Sequence, residues 1–182
     1  MRAHLLLDAP LAAIGVSAAL TGFPLVLPVL AGASLAIHTW GVVDPRSSFY
    51  LPVWWRLPAG ESQMALTFDD GPHPEMTPLV LDRLAAAGQH ATFFLIGENA
   101  RRYPALVRRI IAEGHALGLH SYSHSRFFCA WLPAKVAADI VHGAEILADI
   151  TGRPAPTLFR PPVGLKNPIV AVAVQRLDLR TV

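Results

Sequence analysis

Cysteine is almost missing from this sequence: Cys129 stands alone among 182 residues. A disulfide framework and a cysteine-based metal cluster are therefore both excluded. Charge is scarce as well, since Asp, Glu, Lys and Arg make up 15% of the chain where an ordinary soluble domain has about a quarter. Neither sign dominates. Fifteen basic and thirteen acidic residues leave +2 at pH 7, too even a balance to mark nucleic acid as a partner. Internal repeats, low-complexity tracts, Gly-x-Ser-x-Gly, a phosphate loop with Gly-Lys and His-Glu-x-x-His are all absent. The abundant material is apolar: hydrophobic residues reach 53% and mean hydropathy is +0.41. Such a chain is neither disordered nor wholly soluble.

The apolar excess sits at the start. No charged residue lies between Asp8 and His38, a stretch longer than the roughly 20 residues that cross a bilayer. Pro24 and Pro28 interrupt it, and Thr21-Gly22-Phe23-Pro24 reads as a turn. A helical hairpin is the leading expectation, one kinked span the second. A cleaved signal peptide, with Arg2 as its basic start and Ala31-Gly32-Ala33 as its small-residue site, is the third. Trp40, Tyr50, Trp54 and Trp55 follow and suit either an aromatic belt at the membrane surface or packing on the next domain. Arg2 and Arg46 flank the segment evenly, so orientation stays open. The expected division is a membrane segment over 1–43, a linker over 44–61 and a catalytic domain over 62–182.

From residue 64 onward the sequence alternates strand and helix. Short apolar runs at 64–68, 91–96, 116–119, 157–159 and 179–182 read as strands. Helices are expected over 77–88, with Thr77 as cap and Pro78 at the first helical position, and over 104–114, 133–150 and 168–175. Strands separated by helices imply a parallel sheet, either doubly wound or closed as a β/α barrel.

This order places chemistry at one edge. Asp69 and Asp70 follow the first strand, His120 and His124 the third, and Arg160 the fourth, all at the carboxyl ends where active sites of both architectures are built. Two histidines four residues apart can share one side of a helical turn, and a carboxylate from elsewhere completes a three-ligand set for a divalent metal. Such a metal makes a water acidic near pH 7. Adjacent aspartates suit a division between ligand and general base. Arg160, stiffened by Pro161 and Pro162, can orient the base, and the backbone N–H beyond the prolines can face a developing oxyanion.

Thr67-Phe68-Asp69-Asp70-Gly71-Pro72, His120-Ser121-Tyr122-Ser123-His124 and Phe159-Arg160-Pro161-Pro162-Val163-Gly164 resemble three motifs of the polysaccharide deacetylase family, carbohydrate esterase family four. Ala91-Thr92-Phe93-Phe94-Leu95-Ile96-Gly97 resembles its second strand. The resemblance implies an α/β fold, a distorted parallel β/α barrel, of which about five strands are present after the N-terminal membrane segment. It implies hydrolytic removal of N-acetyl groups from an N-acetylglucosamine-containing glycan. Asp69 is then the catalytic base and Arg160 the residue that positions it. Asp70, His120 and His124 are the ligands of a divalent metal, usually zinc, and Pro162 and Val163 meet the substrate through their backbone. The implied partners are an N-acetylated glycan and membrane lipid, and the implied location is the bacterial inner membrane.

Three departures accompany the match. Val163 stands where Tyr is common, and Leu119 where a polar residue often precedes the first histidine. The family's later motifs, an acidic-Trp segment and a Leu-x-His that supplies the general acid, have no counterpart. His73, His90, His115 and His142 do not occupy that context. A fragment or truncated gene product is therefore expected. Two other functions fit the same residues: a non-haem iron enzyme, whose facial triad is also two histidines and a carboxylate, and a catalytically dead membrane or glycan-binding protein. Phe127, Phe128 and Trp131 are expected in the core rather than on sugar rings. Arg101, Arg102, Arg108 and Arg109 are expected on a solvated face, and Cys129 as a small hydrophobe.

Overall fold

Two apolar helices open the chain in the computed structural model, which describes residues 2–20, 22, 25–57, 60 and 63–182. Helix α1 spans Arg2–Leu20 and α2 spans Val26–Val43. They lie antiparallel: a Cβ at Gly15 would sit 2.8 Å from Leu27 Cδ1, while Asp8 Oδ1 lies 3.3 Å from Ser34 Oγ and 2.9 Å from His38 Nε2. Thr21, Phe23 and Pro24 of the expected turn fall outside the described residues. Among those residues α2 is the one helix long and apolar enough to cross a membrane. Its Leu27, Val29, Leu35 and Val43 side chains are exposed.

Five parallel strands follow: β1 (Thr67–Gly71), β2 (Thr92–Leu95), β3 (Ala116–Leu119), β4 (Leu158–Phe159) and β5 (Arg180–Thr181). They stand side by side in chain order. A doubly wound sheet reverses its order at a switch point, so this winding is that of a barrel wall. The crossovers carry α3 (Met76–Ala86), α4 (Gly97–Arg102) with α5 (Pro104–Ala112), α6 (Pro133–Thr151) and α7 (Pro168–Arg176). Phe93, Leu95, Leu119 and Phe159 from the strands are buried with Leu81, Val107, Ile110, Val136, Ile140, Leu147, Val170 and Val174 from the helices. The side chain of Phe94, between Phe93 and Leu95, leaves by the other face. Beyond β5, Val53 pairs in parallel with Thr181 and Trp54 N–H donates to Thr181 O at 2.9 Å.

Local boundaries differ from the sequence reading in three places. β1 begins at Thr67 rather than residue 64, and its register breaks between Phe68 and Gly71, so the two aspartates lie in an irregular strand end and not after it. Helix α3 starts at Met76. His73 Nδ1 accepts the N–H groups of Glu75 and Met76, which satisfies first-turn donors ahead of Thr77. Thr77 Oγ1 instead accepts the His73 N–H at 2.8 Å. Helix α4 was not expected, because six residues are too few for a periodic pattern to register.

Candidate active site

Pairing of neighbouring strands carries the motif residues to one edge. Leu119 pairs with Phe159, His120 N–H donates to Leu95 O at 3.0 Å and Arg160 N–H to Leu119 O at 2.9 Å. One potential ligand atom from each of Asp70, His120 and His124 then lies within 4.8 Å of the others. Asp70 Oδ1 is 3.4 Å from His120 Nε2 and 3.2 Å from His124 Nε2. His120 Nδ1 donates to the Arg160 carbonyl at 2.7 Å, which leaves Nε2 with its lone pair toward Asp70. His120 is almost fully buried. Burial lowers its pKa, opposed mainly by the bond to the Arg160 carbonyl and by the Asp69 charge; the ring is thus neutral at pH 7, the form that ligates. Three such donors with room for further ligands fit a divalent metal.

The backbone is bent to make this convergence. Asp70 (φ 65°), Ser121 (φ 63°), His124 (φ 47°) and Val163 (φ 59°) occupy the left-handed region, shared among described non-glycine residues with Asp178 alone. Each such position costs on the order of 1–3 kcal/mol and persists only where surroundings enforce it. Residues 120–124 consequently form an irregular loop and not the expected helical turn. Ser121 Oγ accepts the His124 N–H at 3.0 Å. The start of α4 grips the loop too, with Gly97 N–H donating to Ser121 O and Glu98 N–H to Tyr122 O. A Cβ at Gly97 would lie 2.8 Å from the Tyr122 ring, and one at Gly143 of α6 would lie 3.2 Å from the Ser121 carbonyl.

Two supporting residues escaped the sequence reading. Asp139 Oδ2 accepts the N–H groups of Tyr122 (2.8 Å) and Ser123 (3.4 Å), but in sequence it is one more polar position on an amphipathic helix. Asn99 Nδ2 donates to Asp70 O at 3.0 Å, from the helix that itself left no signal. The polar partner that Leu119 does not provide for the first histidine comes instead from the Arg160 carbonyl; Leu119 is a core residue.

Asp69 points to Arg160, whose Nη1 donates to Asp69 Oδ1 at 2.7 Å and to Thr67 Oγ1 at 3.1 Å. Arg160 Nε donates to Val182 O at 3.3 Å, and its guanidinium carbon lies 4.2 Å from the Phe94 ring centroid. The arginine is held from several sides. A short 3₁₀ turn, Pro162–Gly164, follows, with Gly164 N–H donating to Pro161 O at 3.0 Å and the Val163 side chain exposed. Three other histidines have local duties: His73 caps α3, His115 Nδ1 accepts the Ala91 N–H at 3.3 Å, and His142 packs on the Tyr122 ring. Phe128 is core while Phe127 is exposed. Arg109 pairs with Asp82 and Glu113, Arg102 with Glu98, Arg108 Nε donates to Ile150 O, and Arg101 lies over Tyr122. Cys129 Sγ donates to Leu165 O, and burial raises its pKa.

Comparison with known proteins places this chain in a family. The polysaccharide deacetylase family model matches residues 56–182. A peptidoglycan-N-acetylglucosamine deacetylase of Bacillus cereus is 46% identical over 112 residues, covering 59% of this chain and 38% of that protein. A chitooligosaccharide deacetylase of Azorhizobium caulinodans is 35% identical over 127 residues, covering 70% and 60%. The solved peptidoglycan deacetylase PdaC of Bacillus subtilis superposes with a TM-score of 0.62 at 32% identity, over 69% of this chain and 60% of that one. The chain thus spans between 38% and 60% of these relatives' lengths, and its strands form part of a distorted β/α barrel. By the match across residues 56–182 and by the motifs that converge at its strand edge, the chain belongs to the polysaccharide deacetylase family, carbohydrate esterase family four.

Proposed function

We propose that this protein is a membrane-attached, metal-dependent hydrolase that removes N-acetyl groups from an N-acetylglucosamine-containing glycan. The convergence of Asp70, His120 and His124 beside an Asp69–Arg160 pair carries this reading. The relatives' names supply the substrate class: peptidoglycan N-acetylglucosamine in one, chitooligosaccharide in another.

Asp70, His120 and His124 would hold the metal, and two imidazoles with one carboxylate suit zinc. When bound, it supplies Lewis acidity, polarising an amide carbonyl and making a water acidic near neutral pH. Asp69 is the general base: Arg160 holds its Oδ1, which leaves Oδ2 to take the proton of an attacking water. The water oxygen bonds to the amide carbon, the C–N bond breaks, and the proton taken up by Asp69 passes to the departing sugar amine, giving acetate and a free amino sugar. In the Pro162–Gly164 turn Pro162 has no N–H and that of Gly164 is taken by Pro161 O, so the donor for the oxyanion is the backbone N–H of Val163, which a valine in place of tyrosine leaves intact.

In this reading residues 1–43 are the membrane segment, as a helical hairpin or a single span, 44–61 join it to the site, and 62–182 are the catalytic domain. The exposed apolar face of α2 supports membrane attachment, and a place at the bacterial inner membrane is part of the same proposal. The test is acetate release from an N-acetylglucosamine oligomer by the zinc-loaded chain. Release by the wild type, lost in Asp69→Asn with metal content intact, is the expected outcome. A metal-loaded wild type that releases none would overturn the reading.

A further inference from the structure

The Pro162–Gly164 turn holds a conformation that its own sequence resists. Val163 is β-branched and sits at φ 59°, an unfavourable combination that persists only where the surroundings impose it. Its side chain is exposed, so packing on the valine itself does not impose it. Upstream, Pro161 and Pro162 are stiff and buried. Inside the turn Gly164 N–H donates to Pro161 O at 3.0 Å, and Leu165 N–H reaches Pro162 O only at 3.4 Å. The downstream side is fixed by groups from elsewhere in the chain. Leu165 O accepts from Cys129 Sγ at 3.3 Å, and Asn167 Nδ2 donates to Cys129 O at 2.7 Å. Between these two residues stands Lys166, almost entirely buried.

Lys166 reaches the end of α2. Its N–H donates to Val42 O at 3.3 Å, and its Nζ donates to the carbonyls of Asp44 (2.7 Å) and Pro45 (2.9 Å). A cation donating to carbonyls just past a helix C-terminus is favourable, although burying the lysine is not: burial lowers its pKa against the pull of the Asp44 charge. The helix end it grips is firm. A Cβ at Gly41 would lie 2.7 Å from the Phe49 ring, and Tyr50 OH meets His38 Nδ1 at 2.5 Å. Lys166 stands three positions beyond Val163, at most about 11 Å of fully extended chain, so a shift at one is felt at the other. We propose that Lys166 is a positioning residue for the oxyanion donor: by pinning the downstream end of the turn to the end of α2, it aims the Val163 N–H at the place where negative charge develops. This rests on the deacetylase reading and deepens it, because the end of α2 becomes a support of the active site as well as of the proposed membrane segment. An N–H that meets the oxyanion acts in the transition state and not in substrate binding, so its misplacement lowers kcat and spares KM.

The experiment compares the full zinc-loaded chain with its Lys166→Met variant, which keeps an unbranched stem and loses the donors, on an N-acetylglucosamine oligomer. Expected is a kcat lower by about 10- to 100-fold with KM within about twofold and zinc content unchanged. A lower thermal midpoint with wild-type kcat and KM overturns the proposal, and so does a loss that falls on KM alone. Amide hydrogen exchange of the metal-free chain gives a second readout that needs no activity. In Lys166→Met the Gly164 and Leu165 amides should exchange about tenfold faster while those of β3 keep their protection. Unchanged exchange at 164–165, or protection lost equally in β3, overturns it. If the wild type releases no acetate the deacetylase reading fails, and exchange alone decides whether Lys166 holds the turn.

Discussion

Strand β3 is four residues long and has a histidine at each end, His115 before Ala116 and His120 after Leu119. Each sits beside a second histidine and a carboxylate: His90 and Glu113 at the amino end, His124 and Asp70 at the carboxyl end. The inventories match, yet the chemistry differs. At the carboxyl end His120 donates through Nδ1 to a carbonyl and keeps Nε2 as an acceptor. At the amino end His115 accepts the Ala91 N–H at Nδ1, so Nε2 carries the proton and cannot ligate. His115 Nε2 faces Glu113 Oε2 at 4.0 Å, and both atoms are buried without a hydrogen-bond partner. Strained backbone accompanies only the carboxyl-end set. Tautomer and sheet edge, more than the count of ligand-type residues, distinguish the proposed metal centre from a structural cluster.

That contrast can be broken in graded steps. The largest effect is on chemistry: Asp69→Asn should lower acetate release by about 10²- to 10⁴-fold with zinc content unchanged, whereas His115→Gln should leave the rate within a few-fold. Next comes the loop support. Asp139→Ala frees two N–H groups in the His120–His124 loop, and zinc affinity should fall about 10- to 100-fold, as for other outer partners of metal ligands; competition with a chelator reads this.

A smaller effect concerns pH. Burial first, then the neighbouring His90, lower the His115 pKa below 6.5 against the upward pull of Glu113. The unfolded chain therefore binds a proton in the window just below 6.5 that the folded chain refuses, and stability falls as pH drops through it. Denaturant midpoints from pH 7 to 5 should show this slope, and His115→Gln should flatten it. The smallest effect is at the rim: Arg102→Gln removes an exposed pair with Glu98 and should change stability by less than about 1 kcal/mol.

Much of this was legible in the sequence because it is local. The alternation of apolar runs and helices gave the parallel wall, and Asp69, Asp70, His120, His124 and Arg160 fell at strand ends simply by chain order. What remained hidden depends on contacts distant along the chain. Lys166 has no partner nearby in the sequence, yet the fold buries it and brings the carbonyls of Asp44 and Pro45, 122 and 121 residues away, to its Nζ. Asp139 and Asn99 act on backbone groups, which leave no mark in a side-chain pattern. The left-handed residues Asp70, Ser121 and His124 are unfavourable locally and are enforced by α4 and α6, so local propensity pointed to a helical turn that does not form.

The central claim is that one carboxylate and two histidines at the carboxyl end of β3 are the metal centre. Bound zinc per chain after dialysis, compared in wild type, His120→Ala and His115→Gln, tests it most directly. One zinc in the wild type and in His115→Gln with none in His120→Ala is the predicted result. Zinc retained in His120→Ala, or lost in His115→Gln while the fold is intact, would contradict it.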